Sequence, residues 1–265
     1  MSFMSIEWTV VCCILGIWVA TTLGSATVWI VKRNLSARAS NIILGFASGI
    51  MLSSAIFGLL LPSIEEANTE WSSIPFVPVL VGFLLGCLAL AALDKIVPHF
   101  HEHGKIEEGM KNEKLSRPTK FLFAVTIHNI PEGIAVGLIC GLALRSKTPE
   151  AVAAAVSLAT GIALQNMPEG SAVSVPMLEY GTSRWKAFLW GSFSGIVEPL
   201  FAVISLFIVS SVDAFLPWLL SFAAGAMIYV TVDELLPSAR KEGMEHYGLW
   251  AFLLGFICMS MMEFI

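Results

Sequence analysis

Long apolar segments alternate with short polar ones along almost the whole chain of 265 residues. Eight segments each hold about 20 mostly apolar residues, the length that an α-helix needs to cross the hydrocarbon core of a bilayer. They cover residues 7–31, 41–61, 75–93, 119–144, 151–179, 187–210, 214–236 and 247–264. Because an α-helix satisfies its own backbone hydrogen bonds in lipid, the pattern predicts an all-α polytopic membrane protein with eight transmembrane helices, forming a single domain over 1–265.

The composition agrees with a membrane protein. The chain is 56% hydrophobic and only 13% charged, whereas a soluble domain carries about 25% charged residues. Its net charge of −5 gives no indication of a nucleic-acid partner. The five cysteines form no CxxC pair, which argues against a disulfide framework or a zinc ribbon. The lipid bilayer is therefore the partner that composition predicts.

Basic residues indicate the orientation. Of the 15 lysines and arginines, all but Arg145 and Lys147 lie in the connections after the first, third, fifth and seventh helices. The positive-inside rule then places both termini outside the cytoplasm and the connection 94–118 inside it. The start of the chain lacks the basic region of a signal peptide, so we expect the first helix to be retained. This predicts the plasma membrane, or the inner membrane if the chain is bacterial.

The chain contains internal similarity. Residues 45–63, GFASGIMLSSAIFGLLLPS, resemble residues 221–238, SFAAGAMIYVTVDELLPS, with a slip of one residue. In a chain of alternating topology these second and seventh helices run in opposite directions. The similarity predicts an inverted repeat with 3+2+3 architecture, a design that places substrate sites near the bilayer midplane in secondary transporters.

Two further segments share a costly polar string. HNIPEG begins at His128 and QNMPEG at Gln165. Ionisable groups at the centre of a membrane helix cost about 2.5–3.5 kcal/mol each on insertion scales, so they usually mark function. On a helix, residues i, i+1 and i+4 share a face, which predicts one polar face formed by His128, Asn129 and Glu132 and another formed by Gln165, Asn166 and Glu169.

These side chains suit a metal ion. One imidazole, three carboxylates (with Glu198, which precedes Pro199) and several amides are ligands for a borderline divalent ion such as Zn²⁺, Fe²⁺, Mn²⁺ or Cd²⁺. The alternative is a set of hydrogen bonds that joins helices. Met51 offers a thioether to the ion or is an ordinary core residue. Asp233 and Glu234, before Pro237, are either exit-path groups or solvated acids at a helix end.

The connection 94–118 contains a second candidate metal site. Every second residue from His99 through His101 to His103 is a histidine, and Glu102 lies between the last two. Such a tract either binds a metal ion loosely or serves as a charged linker. Catalysis is less well supported than transport, because the Glu-x-x-His pairs of di-iron proteins and the HExxH of metalloproteases are both absent. We therefore expect a divalent-metal transporter, with a passive metal channel and an intramembrane metalloenzyme as alternatives.

The strings HNIPEG, QNMPEG and GIVEP, with a histidine-bearing loop after the third of eight helices, resemble the ZIP family of divalent-metal transporters. QNMPEGSAVSVPM and FAAGAMIYVTVDELLP are most similar to its GufA-like branch. The resemblance implies alternating-access import of Zn²⁺ into the cytoplasm through a binuclear site between the fourth, fifth and sixth helices. It implies no organic cofactor, and it allows a homodimer.

The resemblance also implies a set of metal ligands. They are His128, Asn129 and Glu132 of the fourth helix, Gln165, Asn166 and Glu169 of the fifth, Glu198 of the sixth and Met51 of the second. Some family members carry aspartate where Asn166 stands here. An amide at that position removes one negative charge, so we expect a weaker second metal position or one of different selectivity.

Overall fold

A computed structural model of the protein describes residues 5–30, 36–96, 117–179, 181–209, 213–240 and 245–263. In this part of the chain the regular structure is entirely helical. The first half contains α1 Ile6–Ser25, α2 Ala37–Ser53, a π-helix Ser54–Leu60, α3 Leu61–Glu70, α4 Phe76–Ile96 and α5 Arg117–Ser146. The second half contains α6 Pro149–Glu179, α7 Arg184–Ser194, α8 Val197–Val209, α9 Leu216–Val230, a π-helix Thr231–Leu235, α10 Leu236–Ser238 and α11 Glu245–Glu263.

Seven helical stretches of the described residues are long and apolar enough to cross a membrane. They are Ile6–Trp29, Arg38–Glu70, Phe76–Leu93, Val125–Ser146, Pro149–Val175, Arg184–Val209 and Leu216–Ser238. Each corresponds to one of the first seven predicted segments, so the prediction of a polytopic α-helical membrane protein is confirmed. The eighth predicted segment forms α11 but is not among these seven candidate spans, and eight spans remain a prediction.

Two segments differ from their predicted form. The second helix does not end at residue 61 but continues through Pro62 to Glu70. Leu61 and Pro62 directly follow the π-helix Ser54–Leu60, and the backbone stays helical across this junction. The sixth predicted helix, 187–210, is divided into α7 and α8 by a turn at Gly195 and Ile196. That break places Glu198 in the first turn of α8.

Helices pack most extensively in four pairs, which are α1 with α6, α5 with α8, α2 with α11, and α4 with α9. Glycines make the close contacts in every pair. A Cβ atom on Gly170 would lie 2.0 Å from the carbonyl oxygen of Thr21, and one on Gly86 would lie 2.0 Å from that of Phe222. Small residues let membrane helices approach this closely, where van der Waals packing drives their association.

The two π-helices occupy related positions in the chain. Each follows a helix with a fully buried methionine, Met51 in α2 and Met227 in α9. Each ends directly before a Leu-Pro pair, at Pro62 and at Pro237. π-Helices are uncommon and frequently occur at functional sites.

Candidate metal site

Three helices bring most of the predicted site residues together inside the protein. Asn129 and Glu132 come from α5, Gln165 and Asn166 from α6, and Glu198 from α8; all five are fully buried. Burial of two carboxyl groups among apolar helices is costly unless polar partners compensate. The contacts of each carboxyl group therefore define what this site can do.

Glu132 contacts the neighbouring helix through an amide. The Nε2 atom of Gln165 donates a hydrogen bond of 2.5 Å to Oε1 of Glu132. The two residues are the last of HNIPE and the first of QNMPE, so the repeated strings meet side by side. In the structure, the polar face of α5 is therefore in contact with the polar face of α6.

Glu198 accepts three hydrogen bonds. The Nδ2 atoms of Asn129 and Asn166 donate to its two carboxyl oxygens at 2.9 and 2.5 Å. The hydroxyl of Thr21, in α1, donates to Oε1 at 3.1 Å. A carboxylate with several donors is stabilised in its charged form even where it is buried. The break before α8 thus places the carboxyl group of Glu198 within reach of donors from α1, α5 and α6.

The glycine of each PEG string allows the helices to approach the carboxylates. A Cβ atom on Gly133 would lie 2.4 Å from the carbonyl oxygen of Glu198, and one on Gly170 would lie 2.0 Å from that of Thr21. Both distances are shorter than any ordinary carbon–oxygen contact, so only glycine fits. Gly133 and Gly170 therefore permit close approach of the helices.

His128 and Glu169 lie at the edge of this cluster. The Nδ1 atom of His128 lies 3.1 Å from Oε2 of Glu234, in the second π-helix. Glu169 is partly exposed and lies within electrostatic range of Glu132, Glu198 and His128. From the sequence, Glu234 is either an exit-path group or a solvated acid at a helix end. In the structure it contacts His128, a predicted metal ligand, directly.

The remaining predicted ligands differ in position. Met51 is buried in the main apolar core, in the same cluster as Ile127 and Ile162. Its role as a ligand stays a prediction. The loop histidines His99, His101 and His103 lie outside the described residues.

Several buried oxygen atoms of the site have no hydrogen-bond partner among the described residues. They are the amide oxygens of Asn129, Gln165 and Asn166 and the Oε2 atom of Glu132. A buried polar atom without a partner costs about 1–3 kcal/mol, so four in one place require an explanation. Carboxylate and amide oxygens are ligands for divalent cations, and the donor set therefore fits a metal ion as cargo.

The acidic groups are not yet arranged around one point. Among the described residues, no three His, Cys, Asp or Glu side chains converge closely enough to hold a metal ion. The amide groups of Gln165, Asn129 and Asn166 bind the carboxylates instead. Rotation of an amide group by 180° would exchange its NH₂ for its oxygen and turn a donor into a metal ligand.

Two residues of this site were not found from the sequence as members of it. Thr21 carries no signal, because a threonine in an apolar helix ordinarily bonds the preceding turn, as Thr21 also does with the carbonyl of Ile17. Glu234 carries a signal in its acidic neighbour Asp233 and the following Pro237, but its contact with His128 depends on how α5 and α9 pack.

Comparison with known proteins identifies the family of this chain. A family model described as ZIP Zinc transporter matches residues 117–263. The chain is 33% identical to the zinc transporter ZIP11 of Xenopus tropicalis, over 93% of this chain and 94% of that protein. It is 32% identical to the zinc transporter GufA of Myxococcus xanthus, over 90% and 91%. It is 31% identical to the zinc transporter ZupT of Corynebacterium aurimucosum, over 91% of each.

Proposed function

The chain belongs to the ZIP family of zinc transporters, which are not enzymes, and from this premise we propose that it carries Zn²⁺ into the cytoplasm through the site between α5, α6 and α8. The observation that carries the proposal is the group of buried, unpartnered oxygen atoms beside the carboxyl groups of Glu132 and Glu198. Fe²⁺, Mn²⁺ and Cd²⁺ are further candidates for cargo, because the same oxygen and imidazole ligands bind them.

We propose a role for each ligand. Glu132 and Glu169 jointly hold the ion, and His128 favours borderline metals such as Zn²⁺ over harder ones. Gln165 leaves Glu132 as the ion enters, since its NH₂ group occupies one of the carboxyl oxygens. Met51 contributes a thioether from α2.

A second metal position lies next to Glu198. Asn129 and Asn166 both hydrogen-bond this carboxylate, so a metal there must displace or reorient both amides. Asn166 is neutral, which leaves Glu198 as the principal charge of this position. We therefore expect a binuclear site in which the ion near Glu198 is bound more weakly than the ion near Glu132.

Transport proceeds by alternating access between two groups of helices. Pairs α1–α6 and α5–α8 form one group and pairs α2–α11 and α4–α9 the other, each closely packed through glycines. The ion pair between His128 of α5 and Glu234 of the second π-helix joins the two groups. Relative movement of the two groups has to break this contact. His128 is therefore released from Glu234 when access to the site changes from one side of the membrane to the other.

The inverted 3+2+3 repeat supports this mechanism. The pairing of α2 with α11 corresponds to that of α9 with α4 under the repeat, and the pairing of α1 with α6 corresponds to that of α8 with α5. The two π-helices also lie at corresponding positions. We place the protein in a plasma membrane or bacterial inner membrane with both termini outside. A homodimer would form through lipid-facing helix surfaces.

The test is metal flux into proteoliposomes that contain the purified protein and an internal zinc dye. We expect saturable Zn²⁺ uptake in the wild type and none above empty liposomes for Glu169→Gln. Glu150→Gln is the matched control, because Glu150 is an exposed carboxylate in the first turn of the same helix. It should transport at the wild-type rate.

Two results would count against the proposal. Normal flux in a correctly inserted Glu169→Gln variant would show that the PEG carboxylates are not part of the transport path. Flux that rises linearly with Zn²⁺ without saturation would favour the passive channel over an alternating-access carrier.

A further inference from the structure

A second group of buried polar atoms lies away from the PEG strings. Its members are Ser54 at the start of the first π-helix, Ser157 of α6 and Glu263 of α11. Ser54 is fully buried and Ser157 is 9% exposed. The hydroxyl oxygens of both serines and the Oε1 atom of Glu263 are buried and have no hydrogen-bond partner among the described residues.

These three residues lie at the contact of three helical elements. A Cβ atom on Gly58, one turn after Ser54, would lie 3.3 Å from Oε1 of Glu263. A Cβ atom on Gly161, one turn after Ser157, would lie 3.4 Å from Oγ of Ser54. Ser157 itself faces the carboxyl group of Glu263, although the pair does not have the geometry of a hydrogen bond.

The behaviour of the two serines differs from that of other buried serines in this chain. Ser48, Ser205 and Ser221 each donate to the carbonyl oxygen of the residue four positions earlier. This is the usual way in which a helical serine satisfies its hydroxyl in an apolar environment. Ser54 and Ser157 do not do so, and buried polar groups without partners are rare enough to indicate a ligand.

The cluster is in line with the candidate metal site. Ser157, Gly161, Gln165 and Glu169 are spaced four residues apart on α6 and so form one stripe on its surface. Gln165 hydrogen-bonds Glu132. Eight residues separate Ser157 from Gln165, a rise of about 12 Å along the helix. Ser157 is the nearer of the two to the end of α6 that is predicted to be outside.

We propose that Glu263, Ser157 and Ser54 form an outer cation-binding position, where a divalent metal ion is held before it moves along α6 to Glu132. One carboxylate and two hydroxyl groups supply only hard oxygen ligands of low total charge, so the ion keeps part of its hydration shell and binds weakly. Weak binding suits a position that the ion has to leave. This inference rests on the proposed function and on the predicted orientation.

The first experiment measures uptake into proteoliposomes over a range of external Zn²⁺ concentrations. We expect Glu263→Gln to raise the half-saturating concentration about fivefold without lowering the maximal rate. The double variant Ser54→Ala/Ser157→Ala should shift it in the same direction by a smaller factor. Since neither hydroxyl has a hydrogen-bond partner in the described part of the chain, this variant also provides the test if Glu263→Gln fails to fold. Glu150→Gln, which removes an exposed charge from the same end of α6, should leave the concentration unchanged.

The second experiment separates this position from the central site. Purified Glu132→Gln/Glu169→Gln protein is titrated with Zn²⁺ alone by calorimetry. We expect weak residual binding, and we expect the number of bound ions to fall by one when Glu263→Gln is added, since the position next to Glu198 and the loop histidines are unchanged in both proteins.

The inference would be overturned if Glu263→Gln left the number of bound ions unchanged, or if its effect on uptake were confined to the maximal rate. If the wild type showed no zinc flux at all, the proposed function would fail, and the titration would still decide whether the outer position exists.

Discussion

Replacement of Asn166 by aspartate tests how the candidate site balances its charges. In the structure the Nδ2 atom of Asn166 donates to Oε2 of Glu198 at 2.5 Å and to the carbonyl oxygen of Ile17 at 3.2 Å. An aspartate has no NH₂ group, so both hydrogen bonds are lost. It also places a second carboxyl group against Glu198, which is fully buried.

The magnitude follows from these two contacts. A hydrogen bond to a charged group contributes about 1.5–3 kcal/mol and one to a neutral carbonyl about 1 kcal/mol, so metal-free Asn166→Asp should lose roughly 2.5–4 kcal/mol of stability. Repulsion between the two carboxylates adds to that loss. At about 2–4 °C for each kcal/mol, the unfolding temperature should fall by roughly 5–15 °C.

Zinc should reverse the effect. Two adjacent carboxylates bind a divalent cation more tightly than a carboxylate and an amide, so the variant should gain more stability from Zn²⁺ than the wild type does. A ligand at 100 times its dissociation constant contributes about 2.7 kcal/mol, which would recover most of the loss.

The assay is thermal unfolding in detergent, with a chelator and with Zn²⁺. Asn166→Leu is the matched control, because it removes the same hydrogen bonds and adds no charge. Asn166→Leu should be destabilised in chelator, and Zn²⁺ should stabilise it no more than it stabilises the wild type. The reasoning would be refuted if Asn166→Asp unfolded at the wild-type temperature in chelator, or if Zn²⁺ stabilised the aspartate and leucine variants equally.

Three further predictions concern single residues of the same region. Glu132→Gln removes a buried carboxyl group that we propose to hold the ion. Zinc uptake should fall to the level of empty liposomes, while membrane insertion, measured by fluorescence-detected size exclusion, stays normal. Gly170→Ala puts a Cβ atom 2.0 Å from the carbonyl oxygen of Thr21, so the free energy of chemical unfolding should fall by about 1–3 kcal/mol. The control Gly16→Ala, whose Cβ atom meets nothing within 4 Å, should be neutral or stabilising by about 1 kcal/mol. Equal losses in the two variants would show that α1 and α6 do not pack as described. His128→Ala removes the imidazole that we propose as a nitrogen ligand, so competition assays should show a smaller preference for Zn²⁺ over Mn²⁺. An unchanged preference would exclude His128 from selectivity.

Secondary structure was largely predictable because it depends on properties within each segment. A run of about 20 apolar residues in lipid has to form a helix, since no other open-ended element satisfies its backbone there. The predicted segments therefore overlap the observed helices, although the break that precedes Glu198 divides the sixth of them. The prediction ends the second helix too early, because the apolar pattern stops at Pro62 whereas the backbone stays helical to Glu70.

The contents of the site were predictable in part. The strings HNIPEG and QNMPEG already showed which carboxylates, amides and glycines belong together, because such groups are costly in a membrane helix unless they have a function. The contact of Glu234 with His128 and the unpartnered group of Ser54, Ser157 and Glu263 were not visible in the sequence. Serine and threonine ordinarily satisfy their hydroxyls within their own helix, so their types alone indicate no site.

The sequence by itself thus determined the helical class, the polar strings and the resemblance to a transporter family. Only the tertiary structure decided which side chains face one another: Gln165 with Glu132, Asn129, Asn166 and Thr21 with Glu198, and Glu234 with His128. The physical reason is that hydrophobicity fixes what a helix is in lipid but not its neighbour. Its neighbour and rotation are set by close packing at particular glycines, which the periodicity of one helix does not contain.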